Sequence, residues 1–329
     1  MTEFPLPFTS FPVLCYNVGT MERLERVQRN ERILVILNPS SGVVSKDIAT
    51  SVIFKKLRKH FHTVSLINSN SPAHGVEITR QALDQFDIIT AFGGDGTINS
   101  VASAMVNTNK TLGILPGGSG NGLVRSLNIP LSWRRALDVL INGKDVYVDA
   151  GKINDTFFLN IAGIGLDAWI SRQFNLESRE RGIASYVYYA LKGVFERPTF
   201  RVEIKLGDTV FQDEIMIMAF ANFKQYGANL IIAPFASPYD RLLDICIINK
   251  FKLLKGLNFQ KLFTGHIHEF PFYKTYKFDK CEIESLDGKI PFHFDGEYGG
   301  TDMERYIIET LPGKIKVRIP DPNTNNRKQ

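Results

Sequence analysis

Short apolar runs alternate with polar helical segments between Ile33 and Ile141, and this alternation restricts the fold more than any other feature of the sequence. Runs such as Ile33–Leu37 have the length and composition of buried strands, whereas Ile48–His60 has the pattern of a basic helix. Strand and helix in turn predict a mainly parallel, doubly wound α/β sheet. Ligands of such sheets bind beyond the carboxyl ends of the strands, so the loops that follow the strands are expected to carry the chemistry.

After about Asp145 the pattern changes to closely spaced strands, which predicts a β-rich second domain. Two helical insertions are expected in it, at about Ile183–Phe195 and Leu253–Gly265. A length of 329 residues agrees with two domains. The predicted organisation is an N-terminal extension at 1–30, an α/β domain at 31–145, a β-rich domain at 146–320 and a polar tail at 321–329.

Composition and charge exclude several classes of protein. No apolar run approaches the ~18–20 residues of a membrane-spanning helix, and the absence of Lys or Arg before Arg23 disfavours a secretory leader. Cys15, Cys246 and Cys281 offer neither a disulfide framework nor a CxxC pair, which favours the cytoplasm. The net charge of +5 is spread along the chain and favours anionic partners only mildly; no nucleic-acid partner is expected.

The sharpest motif is Gly93–Thr97 (GGDGT), which follows a predicted strand and opens a predicted helix. Its three glycines and the helix N-terminus suit a phosphate group. Asp95 would lie within this loop, and a carboxylate ~4 Å from a phosphate charge costs about 4 kcal/mol at an effective dielectric constant of 20. Asp95 is therefore expected to face a divalent cation or to point toward a substrate hydroxyl as a general base. A glycine-rich turn capped by aspartate is the alternative.

Two further loops follow strands in the same way, Asn38–Gly42 (NPSSG) and Pro116–Gly122 (PGGSGNG). Three such loops at one edge of a sheet predict a nucleotide-binding cleft. No glycine–lysine pair is followed by Ser or Thr, which rules out a P-loop NTPase. The match of Gly163–Ala168 to a dinucleotide fingerprint is interpreted as coincidence, because the strand–helix alternation has already ended there.

In the second domain, Asp295 and Glu297 lie in a strand-to-turn segment, FDGEYGG. Such a pair can hold Mg²⁺ through carboxylate oxygens or supply a base, and a surface turn is the alternative. His266 and His268 lack a third ligand at a suitable spacing, so no zinc site is expected.

Six motifs occur in order between Ile33 and Pro320: NPSSG, GGDGTIN, ILPGGSGNGLVRSLNIP, FFLNIAGIGLDA, YVYYALKG and FDGEYGG. Their combination resembles the diacylglycerol kinase/sphingosine kinase family of lipid kinases, most closely its soluble bacterial diacylglycerol kinase-like members. The resemblance implies an N-terminal domain similar to those of NAD kinases and phosphofructokinases, a C-terminal β-sandwich domain, and MgATP between them. It implies phosphorylation of a membrane-lipid hydroxyl, first of all diacylglycerol to phosphatidic acid, by a cytoplasmic protein in transient peripheral contact with the membrane.

The resemblance also implies roles for single residues. Asp95 matches the aspartate proposed as the base in sphingosine kinases, and Glu297 matches the proton acceptor of bacterial diacylglycerol kinases, so both are candidate catalytic residues. Asp167 resembles the acid that meets the lipid headgroup. The residues expected to bind the nucleotide are Asn38, Pro39, Ser40, Ser41, Gly42, Ser69, Gly93, Gly94, Gly96, Thr97, Asn99, Gly118 and Ser119.

Asp240 and the backbone of Leu242 resemble a Mg²⁺ site of the family, and Asp295 is a further candidate metal ligand. The sequence also departs from the family pattern. Gly118–Leu123 reads GSGNGL where bacterial diacylglycerol kinases commonly have Gly-Thr-x-Asn-Asp-Phe, which leaves the headgroup preference open. Arg241 stands where the family often has glycine, which weakens the expectation of the Mg²⁺ site.

Several alternatives stay open at this point. A kinase of sphingoid bases or of another hydroxylated lipid fits the same motifs. An NAD kinase shares the GGDGT loop, although the GGSGNG and DGEYGG segments argue against it. A lipid or nucleotide sensor without catalysis is the alternative from another class. The oligomeric state is undetermined, with a homodimer as one alternative to a monomer.

Overall fold

The computed structural model describes residues 29–39, 46–177, 199–250 and 260–323. Several expectations from the sequence lie outside these ranges. They concern most of the N-terminal extension, the helical insertion at about 183–195, most of the one at about 253–265, residues Ser40, Ser41 and Gly42, and the end of the polar tail.

The first part of the chain forms a parallel sheet in the strand order β4-β3-β1-β2. Helices α1 and α5 pack together, and so do α2 and α3, which gives the sheet a helical layer on each face. This arrangement confirms the predicted doubly wound α/β fold. The elements are β1 (Arg29–Leu37), α1 (Lys46–Leu57), β2 (Phe61–Asn68), α2 (Pro72–Ala82), β3 (Ile88–Gly93), α3 (Asp95–Met105), β4 (Thr111–Pro116), α4 (Gly122–Ser126) and α5 (Trp133–Asn142).

Burial explains why these segments form these elements. Strands β3 and β4 are buried along their whole length, as expected for strands covered by helices on both faces. In α5, Trp133, Leu137 and Leu140 are buried at helical spacing, and the intervening Arg134 and Arg135 face solvent.

The second part of the chain is β-rich, as predicted. Its long strand β9 pairs with β8 through its first half and with β7 and β10 through its second half. The elements are β5 (Lys144–Ile153), β6 (Thr156–Phe158), β7 (Ile161–Gly165), α6 (Leu166–Glu177), β8 (Phe200–Leu206), β9 (Thr209–Ala221), β10 (Leu243–Asn249), α7 (Gln260–Thr264), a 3-10 turn (Ile267–Glu269), β11 (Tyr273–Phe278), β12 (Lys280–Ser285), β13 (Phe292–Phe294), β14 (Glu297–Tyr298) and β15 (Arg305–Ile319). The boundary expected at 145/146 falls at the start of β5 and stays a prediction.

Strand β15 connects the two parts of the molecule. It pairs with β12 near its start and with β5 beyond, and Lys316 and Val317 pair in parallel with β4. Near its end the Arg318 side chain, only 4% exposed, lies 2.7 Å from Asp145 and 2.9 Å from Glu31. Burial alone would raise the pKa of the Asp145 carboxyl, but the hydrogen bond and charge of Arg318 lower it. The last strand is therefore fixed to the first domain by a buried ion pair.

Arg318→Met is expected to lower the free energy of unfolding by roughly 3 kcal/mol, because it removes the buried guanidinium that contacts two partly buried carboxylates. Chemical denaturation measures this. Since the pKa of Asp145 is depressed in the folded state, its contribution is present at neutral pH and is lost as the pH falls below about 4. Arg305→Met, at the exposed start of the same strand, is the control and is expected to change stability little. Equal losses in the two variants would contradict the role of Arg318.

Among the described residues, no helix is both long and apolar enough to cross a membrane.

Candidate active site

Three loops meet at the carboxyl ends of β1, β3 and β4. Asn38 Nδ2 donates a hydrogen bond of 2.9 Å to Thr97 Oγ1, which joins the first loop to the second. A β-carbon built on Gly118 would lie 2.7 Å from the Cα atom of Gly94, so the second and third loops touch backbone to backbone. Glycine is required at this contact because any side chain would separate the loops. The result is a hollow lined by backbone groups at the N-terminus of α3, which suits an anion.

Asp95 belongs to the second loop and is the first residue of α3, and its carboxylate lies against the third loop. Its Oδ2 atom accepts a hydrogen bond of 3.3 Å from the Gly122 amide, and its Oδ1 atom is buried without a hydrogen-bond partner among the described residues. Burial, together with the nearby Asp295 carboxylate, raises the pKa of Asp95 to about 6, although the amides of the third loop act in the opposite direction. A carboxyl with this pKa can exchange a proton near neutral pH.

Glu297, a residue of the second domain, also lies at the GGDGT loop. It lies on β14, is exposed, and its Oε1 atom is 3.0 Å from the position that a β-carbon on Gly96 would occupy. Gly96 directly follows Asp95, so acidic residues from both domains meet at the GGDGT loop. A side chain at residue 96 would displace Glu297.

Asp295 accepts four hydrogen bonds, and these occupy its two carboxylate oxygens. The amides of Leu159, Asn160 and Ile161 donate to it at 2.8, 2.8 and 3.0 Å, and the side-chain amide of Asn99 also donates to it. Burial raises the pKa of Asp295, and the four hydrogen bonds oppose that rise. The carboxyl therefore connects the segment between β6 and β7 to α3, and it has little capacity left for a metal ion.

Ser69, Ser119 and Asn99, which are also expected at the nucleotide, differ in their surroundings. Ser69 is buried at the end of β2, where its amide donates to the Leu37 carbonyl at 2.8 Å. Ser119 is exposed in the third loop. The side-chain amide of Asn99 donates a hydrogen bond to Asp295.

Asp167, expected at the lipid headgroup, is 2% exposed at the start of α6. Its Oδ2 atom accepts a hydrogen bond of 2.9 Å from the Tyr226 hydroxyl and lies 3.1 Å from His293 Nε2. Its Oδ1 atom accepts the Ala168 amide at 2.8 Å. A β-carbon on Gly163 would lie 2.1 Å from Oδ2, so this cluster requires glycine there.

Sequence reasoning missed Tyr226 and His293. The segment that holds Tyr226 also forms part of the wall of the third loop, because the Ala228 amide donates to the Gly120 carbonyl at 3.1 Å. His293 could have been noticed because it lies on β13, directly before the FDGE segment. Tyr226 carries no such signal, since it lies in an irregular stretch far from every motif.

Asp240, Leu242 and Asp295 are the predicted Mg²⁺ ligands, and the carboxylates of Asp240 and Asp295 already have partners within the protein. Lys277 Nζ lies 2.7 Å from Asp240 Oδ2, and Asp240 Oδ1 accepts the Leu242 amide at 3.2 Å. Leu242 thus presents its N–H to the carboxylate. Within the described ranges, no group of three or more His, Cys, Asp and Glu side chains is arranged to hold a metal ion.

Comparison with known proteins adds to this geometry. A family model described as the diacylglycerol kinase catalytic domain matches residues 32–153, and one described as the YegS C-terminal NAD kinase beta sandwich-like domain matches residues 160–319. The diacylglycerol kinase of Bacillus subtilis (strain 168) is 30% identical over 308 residues, which cover 88% of this chain and 100% of that protein.

Two solved structures show the same fold. A diacylglycerol kinase from Bacillus anthracis str. Sterne matches with a TM-score of 0.69 at 21% identity, covering 89% of this chain and 98% of that one. Yeast NADH kinase complexed with NADH matches with a TM-score of 0.54 at 12% identity, covering 91% of this chain and 86% of that one. The expected likeness to NAD kinases is thereby confirmed at the level of the fold.

Proposed function

The chain belongs to the diacylglycerol kinase catalytic-domain family and is a lipid kinase, and from this premise we propose that it transfers the γ-phosphoryl group of ATP to the free hydroxyl of diacylglycerol. The products are phosphatidic acid and ADP. The observation that carries the proposal is the meeting of Asp95 and Glu297, from two domains, at the glycine-rich GGDGT loop.

The nucleotide is proposed to bind with its phosphates in the hollow between the loops. Gly94, Gly96 and Gly118 leave backbone amides open to phosphate oxygens, and the N-terminus of α3 adds a partial positive charge. Mg²⁺ is proposed to enter as MgATP, that is, as part of the substrate. Magnesium would neutralise part of the phosphate charge beside Asp95.

Asp95 is proposed as the base. The lipid hydroxyl oxygen attacks the γ-phosphorus, the bond from that phosphorus to the β,γ-bridging oxygen breaks, and the hydroxyl proton moves to the carboxylate. The unpartnered Oδ1 atom and a pKa of about 6 support this assignment. Glu297, exposed at the edge of the same loop, is proposed to orient the incoming hydroxyl.

The proposed acceptor is an uncharged lipid, because Asp167 is only 2% exposed and both of its oxygens already have partners within the fold. Its Oδ2 atom already contacts Tyr226 and His293, and its Oδ1 atom accepts a backbone amide. The ammonium group of a sphingoid base would need a free carboxylate at this depth. Since diacylglycerol resides in bilayers, transient peripheral contact with a membrane is part of the proposal.

A lipid panel tests the proposal. The purified chain is given labelled ATP, Mg²⁺, and micelles containing diacylglycerol, sphingosine or phosphatidylglycerol, with soluble NAD as a separate acceptor. We expect the label in phosphatidic acid, at a rate at least about tenfold above that for any other acceptor, the difference that about 1.4 kcal/mol in the barrier produces. Faster labelling of sphingosine or NAD, or no labelling of any lipid, would refute the assignment.

A further inference from the structure

We infer that the ammonium group of Lys277 is the resident cation beside Asp240 and Asp244, in the place where a divalent metal ion was expected. Lys277 Nζ lies 2.7 Å from Asp240 Oδ2 and 2.9 Å from Asp244 Oδ2. Lys277 on β11 and Asp244 on β10 are direct cross-strand partners. One ammonium group therefore bridges the carboxylate of Asp244 on β10 and that of Asp240, which precedes this strand.

Two nearby carboxylates need a cation here because one of them is buried. The Asp244 side chain is 3% exposed, and Asp240 lies close enough to repel it. Mg²⁺ requires close to octahedral coordination by oxygen atoms and usually keeps several waters, whereas an ammonium group needs only hydrogen-bond acceptors. Asp240 and Asp244 each supply a carboxylate oxygen to the ammonium group of Lys277, so they meet the need of an ammonium group for hydrogen-bond acceptors.

The bridged acids hold a strained turn. Arg241 follows Asp240 with a backbone φ of 68°, in the left-handed region. Its amide donates to Asp149 Oδ2 at 2.7 Å, and Asp149 Oδ1 accepts the Gly313 amide at 2.6 Å. Lys277 thus stabilises a turn that is bonded, through Asp149, to β5 and β15. Structural metal ions often stabilise turns in the same way.

Thermal unfolding of the full chain without nucleotide, in EDTA and in excess MgCl₂, tests the inference. The wild type is expected to unfold at the same temperature in both buffers. Lys277→Met is expected to lower the unfolding temperature in EDTA by roughly 5–10 °C, because the buried Asp244 carboxylate loses its cation. Mg²⁺ should restore part of that loss. Lys274→Met, on the same strand with one carboxylate partner, Asp213, is the control and should show no response to Mg²⁺.

If Lys277→Met does not fold, the double variant Asp244→Asn with Lys277→Met keeps the inference testable. Removing both charges should recover most of the stability, because no buried charge is left unpaired. A wild type that Mg²⁺ stabilises, with the effect lost in Asp240→Asn, would overturn the inference. So would a double variant no more stable than Lys277→Met. The readout is stability, so failure of the lipid assay would leave this inference standing.

Discussion

Asp95→Asn is expected to lower kcat by about 10²–10⁴-fold, the contribution of a positioned base, while the affinity for ATP changes by less than about threefold. The variant keeps the shape of the side chain, and its carbonyl oxygen can still accept the Gly122 amide. It cannot take a proton. Steady-state kinetics with diacylglycerol micelles measure kcat, and calorimetric titration with MgATP measures nucleotide binding. Wild-type turnover in this variant would refute the role of Asp95.

The pH dependence of the wild type gives an independent readout. Because burial raises the pKa of Asp95 to about 6, kcat/KM is expected to fall tenfold for each pH unit below about 6, where the carboxyl is protonated and cannot act as a base. The residual activity of Asp95→Asn should lack this acidic limb. Glu297→Gln is the matched control and should retain it. Persistence of the limb in Asp95→Asn, with its loss in Glu297→Gln, would assign the base to Glu297 instead.

Stability separates this loss of activity from misfolding. The folded state holds a proton on Asp95 more tightly than the unfolded state does, so the stability that this proton contributes is full below about pH 4, falls between about pH 4 and 6, and is lost above that range. Asp95→Asn removes the ionisable carboxyl and is expected to unfold at a higher temperature than the wild type at pH 7–8. The difference should vanish below about pH 4, where the carboxyl is protonated in both states.

The position of the three loops could be predicted from the sequence, because each follows a short apolar strand and parallel strands end at one edge of a sheet. The structure does bring Asn38, Gly94 and Gly118 together. Their binding of a nucleotide stays a prediction. Ser40, Ser41 and Gly42 lie outside the described residues.

The predicted elements failed where the local hydrophobic signal was weak or was overridden by distant contacts. The segment at 156–162, predicted as one strand, is divided into β6 and β7 because Asp295, more than 130 residues away, binds the amides between them. Among the described strands, β11 pairs with β10 alone, and it buries only Tyr273 and Phe278, so its pattern did not indicate a strand. Helix α6 was missed although Leu166, Trp169 and Ile170 are buried at helical spacing.

In the candidate site, too, contacts between distant segments could not be predicted from the sequence. Carboxylates in glycine-rich segments could be singled out as chemical candidates from sequence alone. Their partners could not, since Lys277 beside Asp240 and Tyr226 beside Asp167 depend on the fold of distant segments. The partners decide whether a carboxylate is free to bind a ligand. Within the described part of the chain, Asp95 retains an oxygen atom that accepts no hydrogen bond, whereas both oxygens of Asp295 accept hydrogen bonds.

Asp295→Asn is the second substitution with a large expected effect. It should lower the free energy of unfolding by about 2–4 kcal/mol, because an amide group has one accepting oxygen and turns its NH₂ group toward donors that the carboxylate had satisfied. Asparagine tolerates the left-handed backbone found here, with φ at 47°, so the loss reports the hydrogen bonds and not the backbone. Chemical denaturation measures the change.

The same variant should lower kcat by roughly 100-fold, because misplacing reacting groups by about 1 Å has effects of this size. Asp295 connects α3, through Asn99, to the strand that carries Glu297, so its loss loosens the acids of the two domains relative to each other. Asn99→Ala removes only this connection and is expected to lower kcat with little loss of stability. The Mg²⁺ concentration for half-maximal activity, measured at fixed ATP, should be unchanged in both variants. A rise confined to Asp295→Asn would instead identify Asp295 as a metal ligand and contradict the positioning role.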